Sequence, residues 1–135
     1  MRYVKILQED LADVTKLYES VMSHACHGLF FREGSVYGAR IVKEALKNNG
    51  DFFGNVKKIL IESGWVEDIS FGEYDVEVKG SFEHIPNAGI ATCHRLRGII
   101  KEVYETHYHK KVHCIESECV SMGNERCLFK VEIST

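Results

Sequence analysis

Residues 114–130 read Cys114-Ile-Glu-Ser-Glu-Cys-Val-Ser-Met-Gly-Asn-Glu-Arg-Cys-Leu-Phe-Lys130. Two β-rich arms, 112–119 and 127–133, flank Gly123-Asn124, a pair that suits a tight reversal, so the stretch predicts a β-hairpin. A hairpin sets distant positions side by side, and here those positions are Glu116, Cys119 and Cys127. One carboxylate and two thiols are three of the four ligands of a tetrahedral zinc. Glu116 and Cys119 lie three apart and would point to opposite faces of an ideal strand, so a shared ion requires a bend or bulge between them. The fourth ligand must come from elsewhere in the chain, and Cys93 is the best candidate. On spacing alone, a metal site and a hairpin of plain buried thiols stay equally open.

Working back from the hairpin, residues 88–108 predict a long helix, with Ile90, Cys93, Leu96, Ile100, Val103 and His107 along one side. Before it, 65–71 and 74–82 alternate as strands around Gly72-Glu73. Tyr74, Val76 and Val78 share a dry face, opposite Asp75, Glu77 and Lys79. Further upstream Asp51 can cap a helix that carries Phe53, Val56, Ile59 and Leu60 inward and stops at Gly64. A helix through Ile41, Val42, Ala45 and Leu46 ends at Asn48-Asn49-Gly50, with Gly34 and Gly38 flanking its start. Leu29-Phe30-Phe31 to Gly34 reads as an irregular or extended connection. Residues 10–24 carry Leu11, Val14, Leu17, Tyr18, Val21 and Met22 as one amphipathic stripe, and residues 2–7 alternate as a short strand. The order fits an α+β fold, with an antiparallel sheet of four to five strands and helices packed on one face.

The bulk properties narrow the function classes. The chain has 135 residues, 44% apolar and 27% charged, with one proline and a net charge of −3. That suits a single domain over 1–135 with its own core, and nothing in the charge balance asks for nucleic acid or a membrane surface. No secretory leader or membrane span is expected, which points to a cytoplasmic protein. In a reducing compartment five cysteines (26, 93, 114, 119 and 127) gain weight as metal ligands, while Cys26 and Cys114 read as small buried hydrophobes.

Cys93 together with Glu116-x-x-Cys119-x-x-x-Gly123-x-x-x-Cys127-x-Phe129 resembles the signature of the 4-vinyl reductase domain family. Its members include small hydrocarbon-binding proteins, a bacteriochlorophyll-biosynthesis accessory protein and the sensor domains of phenol-responsive activators. The segment from Gly34-Ser-Val-Tyr-Gly38 to Leu46 is similar to a glycine-flanked helix of the wider superfamily, which takes in TRAPP subunits and haem nitric-oxide sensors. The resemblance implies a structural zinc on Cys93, Glu116, Cys119 and Cys127, a small hydrophobic or aromatic ligand, and a homodimer, to which the striped first helix adds support. An iron–sulfur cluster or a haem are the alternative cofactors. An enzyme or accessory of tetrapyrrole or hydrocarbon metabolism, and an assembly subunit, are the alternative functions. No nucleotide or flavin fingerprint is present, which weighs against a reductase because vinyl reduction needs a hydride donor.

Three bare thiolates and a carboxylate around a divalent ion leave a charge of about −2, so nearby cations are expected among His94, Arg95, Arg97 and Arg126. His24, Cys26 and His27 read as a polar helix end. His107, His109 and His113 read as a solvated helix–strand junction, without a partner set for catalysis.

Overall fold

The elements run α1 (Gln8–Met22), α2 (Cys26–Lys47), α3 (Phe52–Glu62), β1 (Asp68–Phe71), β2 (Asp75–Lys79), α4 (His94–Tyr108), β3 (Val112–Glu118) and β4 (Cys127–Ile133) in a computed structural model that describes residues 2–134. The four strands make one antiparallel sheet in the order β1-β2-β4-β3. Alternation decides its two faces. Ile69, Val76, Val78, Phe129 and Val131 are buried on one side, while Asp75, Lys79, Lys130 and Glu132 meet solvent on the other. Helix α4 lies on the dry face and is the spine of the core, with Leu96, Ile99, Ile100, Val103 and Tyr104 fully buried. Each such apolar side chain taken from water contributes about 1.5–3 kcal/mol. Together they outweigh any local propensity in the chain.

Helix α3 starts as expected, with the Asp51 carboxylate accepting from the Gly54 N–H at 2.9 Å. Upstream of it the reading needs correction. Leu29 to Gly34 is not a connection, and Gly34 and Gly38 do not flank a helix start: both lie inside α2, one continuous 22-residue helix. Their role is close approach. A Cβ on Gly34 would sit 1.9 Å from the Arg95 carbonyl oxygen, and one on Gly38 would sit 2.9 Å from Ile99 Cα. From the facing helix, a Cβ on Gly98 would sit 2.2 Å from the Phe31 carbonyl. Glycines on both helices let the two backbones touch, and that contact repays the helix-propensity cost of about 1 kcal/mol per glycine.

Two further expectations fail. Residues 2–7 form no strand: they pair with neither edge of the sheet, β1 or β3. The last helix begins at His94 rather than near Ala88, so Ile90 lies outside it and Cys93 is its N-cap instead of part of its stripe. Asn87 and Gly89 both take positive φ, and the segment is held by the hairpin tip instead of by helical bonds. Ile85 N–H donates to Ser121 Oγ at 2.9 Å, and Gly89 N–H donates to the Ser121 carbonyl at 2.9 Å. The expected strands 65–71 and 74–82 are real but shorter, at 68–71 and 75–79. Helix α1 has its apolar stripe, yet only Thr15 on it is buried.

Candidate metal centre

The hairpin supplies the departure from ideal pairing that a shared site requires. Glu116 pairs with Phe129 and Glu118 with Leu128, leaving Ser117 as an extra residue on β3. This bulge rotates the strand by one residue and turns Glu116 toward the side on which Cys119 lies. A single 3-10 turn over Val120–Met122 follows, and Gly123 at φ 97° closes the loop. Asn124 Oδ1 accepts from the Cys119 N–H at 3.1 Å and holds the loop's entrance.

The structure brings Cys93, Glu116, Cys119 and Cys127 together: one ligand atom from each lies within 4.8 Å of all the others. The Sγ atoms of Cys93 and Cys127 are 3.9 Å apart, as are those of Cys119 and Cys127. Zinc–sulfur bonds of about 2.3 Å in a tetrahedron separate the sulfurs by about 3.8 Å, so the spacing suits four ligands on one ion. Glu116 is the telling residue. Its Oε1 accepts from the Cys93 N–H at 3.1 Å, while its Oε2 is buried with no hydrogen-bond partner among the described residues. A buried carboxylate oxygen without a partner costs several kcal/mol unless a cation takes it. The donor set therefore fits a divalent metal.

Without a cation the four acids work against one another. Burial, reinforced by Cys119, pushes the Glu116 carboxyl up to about 8. Hydrogen bonding to Cys119 pushes Cys127 up to about 12, and Cys93 rises well above the usual thiol range through its bonds to both other thiols. Cys119 alone is lowered, because Cys127 and Cys93 both donate to it. One thiolate forms at the expense of the rest. A divalent ion reverses this logic and lets all four ionise.

The surroundings are polar and ordered. Cys93 Sγ donates to Ser81 Oγ at 3.1 Å, and Val120 N–H donates to Cys127 Sγ at 3.5 Å. Thr92 Oγ1 lies 2.7 Å from Ser121 Oγ and 3.9 Å from Cys119 Sγ. The first turn of α4 is capped from a distance: the buried Glu83 carboxylate accepts from Arg95 N–H at 3.1 Å and Leu96 N–H at 2.8 Å. Ser81, Glu83, Thr92 and Ser121 are roles that the sequence reading missed. The one signal for them is their polarity in stretches that must lie near a buried site.

The four expected cations divide. Arg97 lies close, its guanidinium 4.1 Å over the Phe31 ring and donating to the Cys114 carbonyl at 3.4 Å. Arg95 is buried between Glu33, at 2.8 Å, and Glu83, at 3.4 Å. Arg126 points away and pairs with Glu77 at the surface. His94 is no cation at all: burial, with His27 and Arg97 beside it, pushes its imidazole down to about 3. It stacks on His27 at 4.0 Å, and His27 in turn meets Glu19 at 2.6 Å. Cys26 and Cys114 are buried, as expected of plain thiols.

A second feature lies on the other side of Arg95. A cleft of about 840 Å³ opens between the N-terminal segment, α2 and the end of α3, with Tyr37, Trp65 and Phe82 in its walls and Glu33 and Arg95 at its polar end. Among the described residues no helix is long and apolar enough to cross a membrane.

Comparison with known proteins agrees with this architecture. Residues 73–133 match the model of the V4R domain family. A 53-residue stretch is 36% identical to an uncharacterized protein of Methanocaldococcus jannaschii; it takes in 39% of this chain and 31% of that protein, so the match spans under a third of the relative's length. In three dimensions the chain is similar to the phenol-responsive sensory domain of the transcription activator PoxR, solved with phenol. The TM-score is 0.79 at 18% identity, over 98% of this chain and 77% of that one. It is also similar to a vinyl-4-reductase family protein from Methanocaldococcus jannaschii, with a TM-score of 0.71 at 18% identity over 99% and 85%. At that identity the likeness speaks for the fold, and the family model speaks for the segment that carries the cysteines. The V4R match over residues 73–133 takes in all four candidate ligands, Cys93, Glu116, Cys119 and Cys127.

Proposed function

We propose that this chain is a zinc-containing binding domain for a small hydrophobic or aromatic molecule, working as a cytoplasmic sensor or carrier. The observation that carries the reading is the closed ligand set. Cys93, Glu116, Cys119 and Cys127 converge on one point, and the second Glu116 oxygen meets no donor among the described residues. Four protein ligands leave no open position for a substrate water, so the metal acts as a staple between the start of α4 and the hairpin. Thiolate-rich coordination favours zinc, and sulfurs this close suit a single ion better than a cluster.

Binding then belongs to the cleft, which is within the size range of small-molecule sites and is walled by aromatic rings. The fold it shares with a phenol-responsive sensory domain supports the same assignment. Helix α1 supports a homodimer: Leu7, Val14 and Val21 recur every seven residues beside Leu17 and Tyr18, and all are exposed. A stripe of that length is the kind of seam a second copy of the helix covers.

Native mass spectrometry of the purified protein tests all of this together. One zinc per chain, a dimeric mass and retention of a small apolar molecule are expected. A metal-free protein that is fully folded refutes the staple.

A further inference from the structure

The cleft has a charge order that selects among ligands. Glu33 and Tyr37 lie one turn apart on α2, and the Tyr37 hydroxyl donates to Glu33 Oε2 at 2.5 Å. Arg95 Nε donates to the other oxygen, Oε1, at 2.8 Å. The two ions of this pair are not equally placed. The Arg95 side chain is 4% exposed and the Glu33 side chain 36%. Arg95 lies behind, with its guanidinium carbon 4.1 Å over the Phe30 ring and its far side turned to the buried Glu83. Both ions line the cleft, and the carboxylate is the more exposed of the two. Burial and Glu33 raise the Tyr37 phenol to about 12, so it stays protonated and keeps donating to Glu33.

Around this carboxylate stand three aromatic rings. Tyr37 and Trp65 are 5.7 Å apart, and Phe82 meets Trp65 edge-on at 6.5 Å. Glu62 adds a second carboxylate at the mouth, against Lys5 of the N-terminal segment as the one exposed cation among the described lining residues. Ring faces carry negative potential and attract cations, as carboxylates do. A carboxylate ligand would instead bring a third negative group toward Glu33 and Glu62.

The geometry points to a cleft that prefers small organic cations, an ammonium group on an apolar or aromatic body, over their neutral and anionic analogues. This rests on the cleft being the ligand site proposed above. The ammonium would lie against Glu33, and the apolar body would lie along Tyr37, Trp65 and Phe82.

Trp65 is the chain's single tryptophan, so its fluorescence reports the cleft directly in the intact chain. The probes are 2-phenylethylamine, 2-phenylethanol and 3-phenylpropionate, which share one body and differ in the charge of the head. The amine should bind about tenfold tighter than the alcohol, a step typical of a partly desolvated cation against rings and a carboxylate, and the carboxylate should bind weakest. Glu33→Gln should bring the amine within about twofold of the alcohol while leaving alcohol binding in place. Glu62→Gln, at the exposed rim, should lower the amine preference about threefold and keeps the test readable if Glu33→Gln loses stability. Equal or better binding of the alcohol or the carboxylate overturns the proposal, and so does a preference that both variants leave intact. Failure of all three probes to perturb Trp65 removes the ligand-site reading itself, and this proposal with it.

Discussion

Two alanine substitutions in the same helix should have opposite signs. Gly28 and Gly34 both lie in α2, and replacing either with alanine gains helix propensity worth up to about 1 kcal/mol. At Gly28 nothing lies within 4 Å of the new methyl, so that gain stands. At Gly34 the methyl would meet the Arg95 carbonyl oxygen at 1.9 Å and its carbon at 2.6 Å. Both atoms are backbone and cannot rotate away, so α2 and α4 must part by about 1 Å or more before the contact becomes tolerable. Parting them loosens Phe30, Ile41, Leu96 and Ile99 together, a strain of about 2–4 kcal/mol against the propensity gain. The net expectation is a loss of about 1–3 kcal/mol for Gly34→Ala and a gain of up to about 1 kcal/mol for Gly28→Ala. Urea unfolding at fixed metal content reads both, and thermal midpoints should separate by roughly 5–15 °C for a chain of this size. Equal stabilisation by the two alanines would refute the close-approach role of Gly34. It would return that glycine to the helix-start role that the sequence suggests.

Three other perturbations test separate parts of the structure. Cys119→Ser removes one of the four ligands; the purified variant should lose its metal and several kcal/mol of stability, and an unchanged melting curve in the presence of a chelator argues against a staple. Glu83 is held up to about 7 by burial, against an ordinary 4.5. Its contribution is therefore fully present below pH 4.5 and lost as pH rises through 7, so the stability of the wild type relative to Glu83→Gln should fall by about 3 kcal/mol across that window. A difference that stays flat with pH refutes it. Tyr104 donates to the Gly72 carbonyl at 2.6 Å and ties α4 to the β1–β2 turn, so Tyr104→Phe should cost about 1–3 kcal/mol in denaturant unfolding without altering metal content.

The parts of this molecule legible in its sequence are those whose causes are local. Gly123-Asn124 and the flanking alternation declare the β3–β4 hairpin, and Asp51 declares the start of α3. The need for a bulge follows from the three-residue spacing of Glu116 and Cys119, and Ser117 supplies it. The misreadings are all non-local. Gly34 and Gly38 punctuate a helix when read along the chain, yet they are contact points when α4 is laid across them. Ile90 and Cys93 continue a helical stripe in sequence, but Ser121, some thirty residues on, takes the hydrogen bonds of that segment and delays the helix to His94. Arg126 adjoins a ligand in sequence and points away from it in space. Residues 2–7 alternate as a strand does, yet they run along the mouth of the cleft and pair with neither sheet edge.

The candidate metal centre and the cleft meet at the first turn of α4, and this limits what a metal held there could do for binding. Cys93 caps that turn, Glu116 accepts from its backbone, and Glu83 takes the Arg95 and Leu96 N–H groups. Arg95, two residues on, reaches through Glu33 to the cleft wall. With the four ligands engaged by protein, a metal there can neither polarise a bound molecule nor supply it a water. It can fix where α4 begins, and hence where Arg95 holds Glu33. Holding a recognition group in place raises affinity by removing the cost of ordering it at the moment of binding. The metal's effect on ligand affinity should therefore be similar for every ligand that touches Glu33, whatever its head group. Discrimination between head groups should survive metal removal for as long as the fold does, because it belongs to the carboxylate and the rings.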